Sequence, residues 1–137
     1  MTDANDDEPL NDLLVDRQQI NQKRLAKALD NLVGIDQDSG ELVPSRKFRE
    51  LDTRRRIVAL LLGKQAAHEL ELIDDEEVGF SSNELSNRVG AAGGTIRNYV
   101  SQKLHFVESD NGRGGYHIPR TRIPDAIQFL EEETNQS

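Results

Sequence analysis

Apolar positions along this chain alternate between helical and strand spacing, and short polar or glycine-containing breaks separate the segments. Between Leu10 and Val33, Ile20, Leu25, Ala28, Leu29 and Leu32 recur at helical intervals with charged residues between them, and Gly34 stands where a helix stop is expected. The segment Gly34 to Pro44 sets short apolar pairs on either side of Asp38-Ser39-Gly40, a pattern that predicts a small hairpin or ordered loop. Asp52 is a suitable N-cap for a helix running to about Leu70, with Ile57, Leu60, Leu61 and Ala67 as its apolar side. Asp74 to Glu77 then form an acidic loop.

The pattern from Ser81 to Pro119 is more specific. Ser81-x-x-Glu84 is a capping-box pattern that opens a helix over Ser82 to Arg88, with Leu85 and Val89 facing inward. Gly90 occupies the following turn, where a left-handed backbone favours glycine. A second helix is predicted from Gly93 to Lys103, with Ile96, Tyr99, Val100 and Leu104 on its inner side. His105 to Ser109 reads as a strand, Asp110 to Gly115 as a flexible tip, and Tyr116 to Ile118 as the returning strand. A last helix begins near Asp125, with Ala126, Ile127, Phe129 and Leu130 as its apolar side.

Composition narrows the chemistry. No cysteine is present, which excludes disulfides, thiolate zinc sites and cysteine nucleophiles. The apolar run Ile57 to Gly63 is too short to cross a bilayer, and the first ten residues carry neither a basic nor an apolar stretch, so no membrane association and a cytoplasmic location are expected. The net charge of −8 argues at first against a polyanionic partner. Its distribution reverses that inference locally: residues 86–122 hold six basic and two acidic side chains, whereas residues 1–45 and 123–137 are strongly acidic. Twelve arginines against five lysines, with abundant carboxylates, resemble the composition of proteins from salt-loving archaea. In about 1 M salt the Debye length is about 3 Å, so binding there relies on close contacts rather than long-range attraction.

On the outer side of the second helix lie Gly94, Thr95, Arg97, Asn98, Ser101 and Gln102, with no apolar or acidic side chain among them. Arginine can pair with guanine through two hydrogen bonds, asparagine and glutamine can read adenine, and hydroxyls suit bases or phosphates. At the expected tip, Asn111 and Arg113 are candidates for the adjacent groove or backbone, and Ser82, Arg54 and Arg55 for phosphate contacts. Other chemistries fit poorly. Asp36, Asp38 and Gly40 resemble the start of a calcium loop, but glycine already stands at the fifth position, where a ligand is required. His105 and His117 are expected to come close across the hairpin, yet two histidines without a third ligand make no metal site. No nucleotide loop, metal constellation or activated nucleophile is recognisable, so neither enzymatic activity nor a cofactor is expected.

The segments RRRIVALLLGKQAAHEL, SSNELSNRVG, AAGGTIRNYVSQ and DNGRGGY, in this order, resemble the winged helix-turn-helix DNA-binding proteins of archaea, specifically haloarchaea. The spacing of Ser86, Gly90 and Ile96 matches the family's small residue, turn glycine and β-branched anchor, although alanine is more usual at the first. The link from Thr95 to Phe106-Val107 is shorter than usual. The resemblance implies a mainly α fold with a small β-hairpin wing and extra helices at both ends. It divides the chain into an acidic, disordered stretch over residues 1–9, a helix and turn over 10–45, the winged domain over 46–122 and a C-terminal helix and tail over 123–137. It further implies a transcriptional regulator that reads double-stranded DNA with helix 93–103 and wing 110–115, as a homodimer joined through the terminal helices. A winged-helix module that binds proteins instead of DNA is the alternative, because fold does not fix function.

Overall fold

In a computed structural model, Leu10 and residues 17–135 are described, and all structural statements below concern these residues. The stretch 1–9 and the expected start of the first helix lie outside them. The chain is mainly helical, with two small antiparallel hairpins.

Helix α1 spans Arg17–Leu29. It stops earlier than Gly34 because Asn31 takes the left-handed conformation at φ 68°, a region that asparagine tolerates better than most residues. Gly34 instead sits inside strand β1 (Val33–Ile35), which pairs with β2 (Leu42–Pro44). Between these strands the Asp36 carboxylate accepts hydrogen bonds from the amides of Asp38 and Ser39 and from the Ser39 hydroxyl, closing a turn of the kind aspartate favours. The aspartate that resembled a calcium ligand thus serves its own turn.

A short helix that the periodicity does not announce, α2 (Arg46–Glu50), follows directly. Ser45 caps it by accepting from the Phe48 amide, and its hydroxyl also donates to the carbonyl of Asn31. Phe48 alone turns inward; Arg46, Lys47 and Arg49 are exposed.

Helix α3 (Thr53–Glu69) begins at Asp52, whose carboxylate accepts from the Arg55 amide at 2.9 Å as the cap expected there. Its apolar surface is broader than the expected side. Ile57, Val58, Ala59, Leu60, Leu61 and Leu62 are all completely buried, so this segment is enclosed all round. Helices α1, α2, α4 and α6 and strands of both hairpins surround it.

Helix α4 (Ser82–Val89) carries the full capping box: the Ser81 hydroxyl accepts from the Glu84 amide, and the Glu84 carboxylate accepts from the Ser81 amide. Gly90 ends it at φ 74°, and α5 (Gly93–Gln102) starts two residues later. The Ser86 hydroxyl donates to the carbonyl of Ala91, which accounts for serine in place of alanine: it ties α4 to the far side of the turn. Ile96 is fully buried beneath α5. Tyr99 and Val100, expected inside, are only half-buried.

The second hairpin is shorter than the pattern suggested. Strand β3 is Glu108–Asp110, because residues 105–107 are taken up by a turn in which the Val107 amide bonds to the Leu104 carbonyl. A 3-10 turn over Asn111–Arg113 leads to β4 (Gly115–His117). Phe80, just before α4, bridges Tyr116 antiparallel, so β4 is held on both edges. The loop expected as a free tip is packed against the segment that precedes α4. A side-chain carbon at Gly114 would lie 2.8 Å from the Glu76 carbonyl oxygen, and one at Gly115 2.5 Å from that of Phe80. Helix α6 (Ile123–Asn135) follows a 3-10 turn and closes over α1 and α3. No helix among the described residues is long and apolar enough to cross a membrane.

Two glycines separate conformational strain from steric exclusion. Gly90 has a left-handed backbone with nothing within 4 Å of an added side chain, whereas Gly115 combines φ 126° with contact against the Phe80 backbone. Replacing Gly90 with alanine is expected to cost about 1 kcal/mol. Replacing Gly115 is expected to cost clearly more and to free the hairpin from Phe80; denaturant unfolding ranks the two, and equal losses would contradict the packing described.

Candidate nucleic-acid interface

Helix α5 is presented by the turn before it and by the buried Ile96 beneath it. Gly94, Thr95, Arg97, Asn98, Ser101 and Gln102 are all exposed, on the outward face the spacing assigned to them. Together with Tyr99 and with Tyr116 of β4, most of these residues line a shallow, open concavity. The tyrosines are the part the sequence did not reveal. Tyr99 was placed in the core by its helical spacing, and Tyr116 reaches α5 only because Phe80 holds β4.

The individual side chains differ in availability. The Arg97 guanidinium folds back over Gly93 and Gly94, with Nη1 3.5 Å from the Ser82 hydroxyl, so Ser82 and Arg97 form one polar cluster across the starts of α4 and α5. A side chain at residue 93 would crowd that guanidinium, being 3.3 Å from Nη1. Ala92 supplies no side-chain cap, which leaves the first amides of α5 without an acceptor from the capping position. The Ser101 hydroxyl donates to the carbonyl of Asn98, a local bond that competes with outside partners. Thr95, Asn98 and Gln102 project without such bonds to the helix among those described.

The two candidate phosphate ligands of α3 part company. Arg54 lies over the Tyr99 ring, 5.9 Å from its centre, which brings the start of α3 against α5. Arg55 is only 15% exposed and engages the Asp52 carboxylate at 3.0 Å, so its guanidinium is committed to the cap. It does not join the surface formed by α5.

The second hairpin has a mixed electrostatic setting. Asn111 and Arg113 are exposed as expected, but Arg113 stands 3.9 Å from the Asp110 carboxylate. The Arg113 carbonyl accepts from the Gly79 amide, which packs the loop beside the acidic 3-10 turn Asp75–Glu77. There, a hydrogen bond and charge from His68, with a smaller contribution from Arg113, hold the Asp75 carboxyl below its usual range against a slight opposing effect of burial. Arg113 therefore faces carboxylates on two sides. His105 lies in the turn before β3, and His117 pairs with Glu108 instead, so the two histidines do not meet across the hairpin. Among the described residues no group of three or more His, Asp or Glu is placed to hold a metal ion.

The apolar sides of α1 and α6 pack on each other and on α3 within one chain, with Leu25, Leu29, Ile123, Ile127 and Leu130 buried. The apolar sides of the terminal helices are thus engaged with each other within one chain. Comparison with models of protein families, with curated proteins and with solved structures finds no match to this chain.

The cap that opens α3 is itself titratable. Burial raises the Asp52 pKa, but hydrogen bonds from the Arg55 side chain and amide and the charges of Arg55 and Arg54 outweigh it, and the net shift is downward. A depressed carboxyl contributes stability that is present above its unfolded value, 3.8 for aspartate, and lost as the pH falls through the folded value. Asp52→Ala is accordingly expected to cost about 1 kcal/mol near neutral pH and to flatten the acid limb of stability below about pH 4. Denaturant unfolding across pH checks both; an unchanged acid limb would contradict the assignment.

Proposed function

We propose that this chain is a sequence-specific double-stranded DNA-binding protein of the winged helix-turn-helix kind, acting as a transcriptional regulator. One observation carries the proposal. Helix α5 presents an outward face free of acidic and bulky aliphatic side chains, on a glycine turn, within a protein whose net charge is −8. A face selected only for solubility in such a chain would be expected to share its carboxylates.

In this reading α5 lies in the major groove, with Arg97, Asn98 and Gln102 reading base edges. Ser82 and the uncapped amides of α5 meet the phosphates at its entrance. The order of elements supports the winged form: a helix, a bridging segment at Phe80, the two helices around Gly90, and a hairpin that returns to Phe80. One such domain makes a small interface, so tight binding calls for two half-sites read by a homodimer, joined at a surface other than the α1–α6 seam. The archaeal, salt-adapted setting fits the composition and favours close contacts over long-range steering.

A second reading, a module that binds another protein, is favoured by the acidic turn Asp75–Glu77 packed beside Arg113. Selection of genomic fragments in molar potassium chloride distinguishes the two, with the Arg97→Ala protein as control. A shared site recovered by the native protein is expected, bound about 5 to 150 times more weakly by Arg97→Ala, which corresponds to loss of about 1–3 kcal/mol from one bidentate base contact. Arg113→Ala is expected to change affinity less than Arg97→Ala. No enrichment, or equal enrichment with the variant, would transfer the assignment to protein binding.

A further inference from the structure

The stretch Arg46 to Arg56 carries six basic and two acidic side chains, the densest positive run in the chain. One of the two acids, Asp52, is neutralised within the stretch by Arg55. The fold links this run to α5 through the first turn of α3. Phe48 is buried and anchors α2, while Ser45 ties its start to Asn31 and Leu32 at the end of α1. This leaves Arg46, Lys47 and Arg49 on the outside. Three residues later α3 begins, and its Arg54 rests on Tyr99 in the middle of α5. Arg56, half-buried, has its Nη2 3.5 Å from the Thr53 hydroxyl, and its Nε has no partner among the described residues.

The other neighbour of α5 has the opposite character. Beside the second hairpin stand Asp74, Asp75, Glu76 and Glu77, all exposed, with Glu108 and Asp110 on β3 itself. We infer that the α2–α3 junction, and not the hairpin, supplies the principal phosphate contacts, so that the duplex leans from α5 towards Arg46, Lys47 and Arg49. This rests on the DNA-binding reading of α5 and adds the side on which the backbone is gripped. Phosphate contacts of this kind release counterions and leave a signature in the salt dependence of binding.

The test uses the full chain and a labelled mixed-sequence duplex of about 30 base pairs, roughly three helical turns. Affinity is followed over a potassium chloride series in which circular dichroism reports a folded protein. Arg46→Gln/Lys47→Gln/Arg49→Gln, all at exposed positions, is expected to reduce the magnitude of the negative slope of log affinity against log salt by about 2.7, or about 0.9 per lost contact. The charge-retaining Arg46→Lys/Arg49→Lys protein is expected to keep the native slope, and Arg113→Gln to reduce its magnitude by less than about 0.9. A native slope in the triple variant, with binding otherwise intact, overturns this inference and leaves the reading of α5 standing. Absence of binding by the native protein overturns both. Equal affinity and slope with poly-glutamate of matched charge would assign the junction to acidic polypeptides instead of DNA.

Discussion

Everything in this molecule is arranged around the enclosure of one helix. Six consecutive residues of α3, Ile57 to Leu62, have no solvent exposure, and an α-helix turns through its full circumference in fewer residues than that. Such a segment is stable only when neighbours cover every side. Four helices and both hairpins do so, and each is positioned in part by its contact with α3. At Gly63 an added side-chain carbon would stand 3.1 Å from the Leu42 methyls, so this side chain of β2 packs directly on the helix backbone. At the far end the Glu69 side chain, 6% exposed, accepts from Gln22 of α1, Gln65 of α3 and Arg120 before α6. These bonds, with the charge of Arg120, overcome the penalty of burial and hold the carboxyl below its ordinary range. One buried charge thus fastens three parts of the chain, and removal of its partners would strand it.

The same enclosure decides where charge can appear. The three arginines of α3 all lie in its first turn, which abuts α5 through Arg54 and Tyr99. The chain as a whole is acidic, but the acidic residues gather at its ends and in the turn beside the second hairpin. Basic residues gather at the α2–α3 junction and on the segment holding α5. An acidic protein can in this way keep one surface of the opposite sign while the remainder favours solubility. Screening in concentrated salt weakens distant attraction far more than direct hydrogen bonds.

What could be read from the sequence was local. Asp52, Ser81 with Glu84, Gly90 and Ile96 each act within one turn of their own position, and each does in the structure what its chemistry predicts. The outward residues of α5 followed from helical periodicity alone. What remained hidden depends on distant partners. Helix α2 has one inward residue, too few for a period, and is held by Ser45 reaching back to Asn31. The packing of the hairpin loop comes from Gly79 and Phe80, more than thirty residues earlier, which bond to it and to β4. Tyr99 was legible as a helix position but not as a surface shared with Arg54, and Arg55 as a cation but not as the partner of Asp52. The all-round burial of α3 was visible in the run IVALLLG, yet a one-sided pattern was the natural expectation for a chain with so few apolar residues.

The most direct test of the proposed DNA-binding surface is a residue-by-residue map of the bound state. Uniformly labelled protein, titrated with a duplex containing its selected site, is followed by amide chemical shifts in molar potassium chloride. The account predicts that the largest changes fall on α5 from Gly94 to Gln102, on Ser82, and on α2 with the first turn of α3, while α1 and α6 stay nearly silent. Changes concentrated on α1, α6 or the acidic turn, with α5 unmoved, would contradict it.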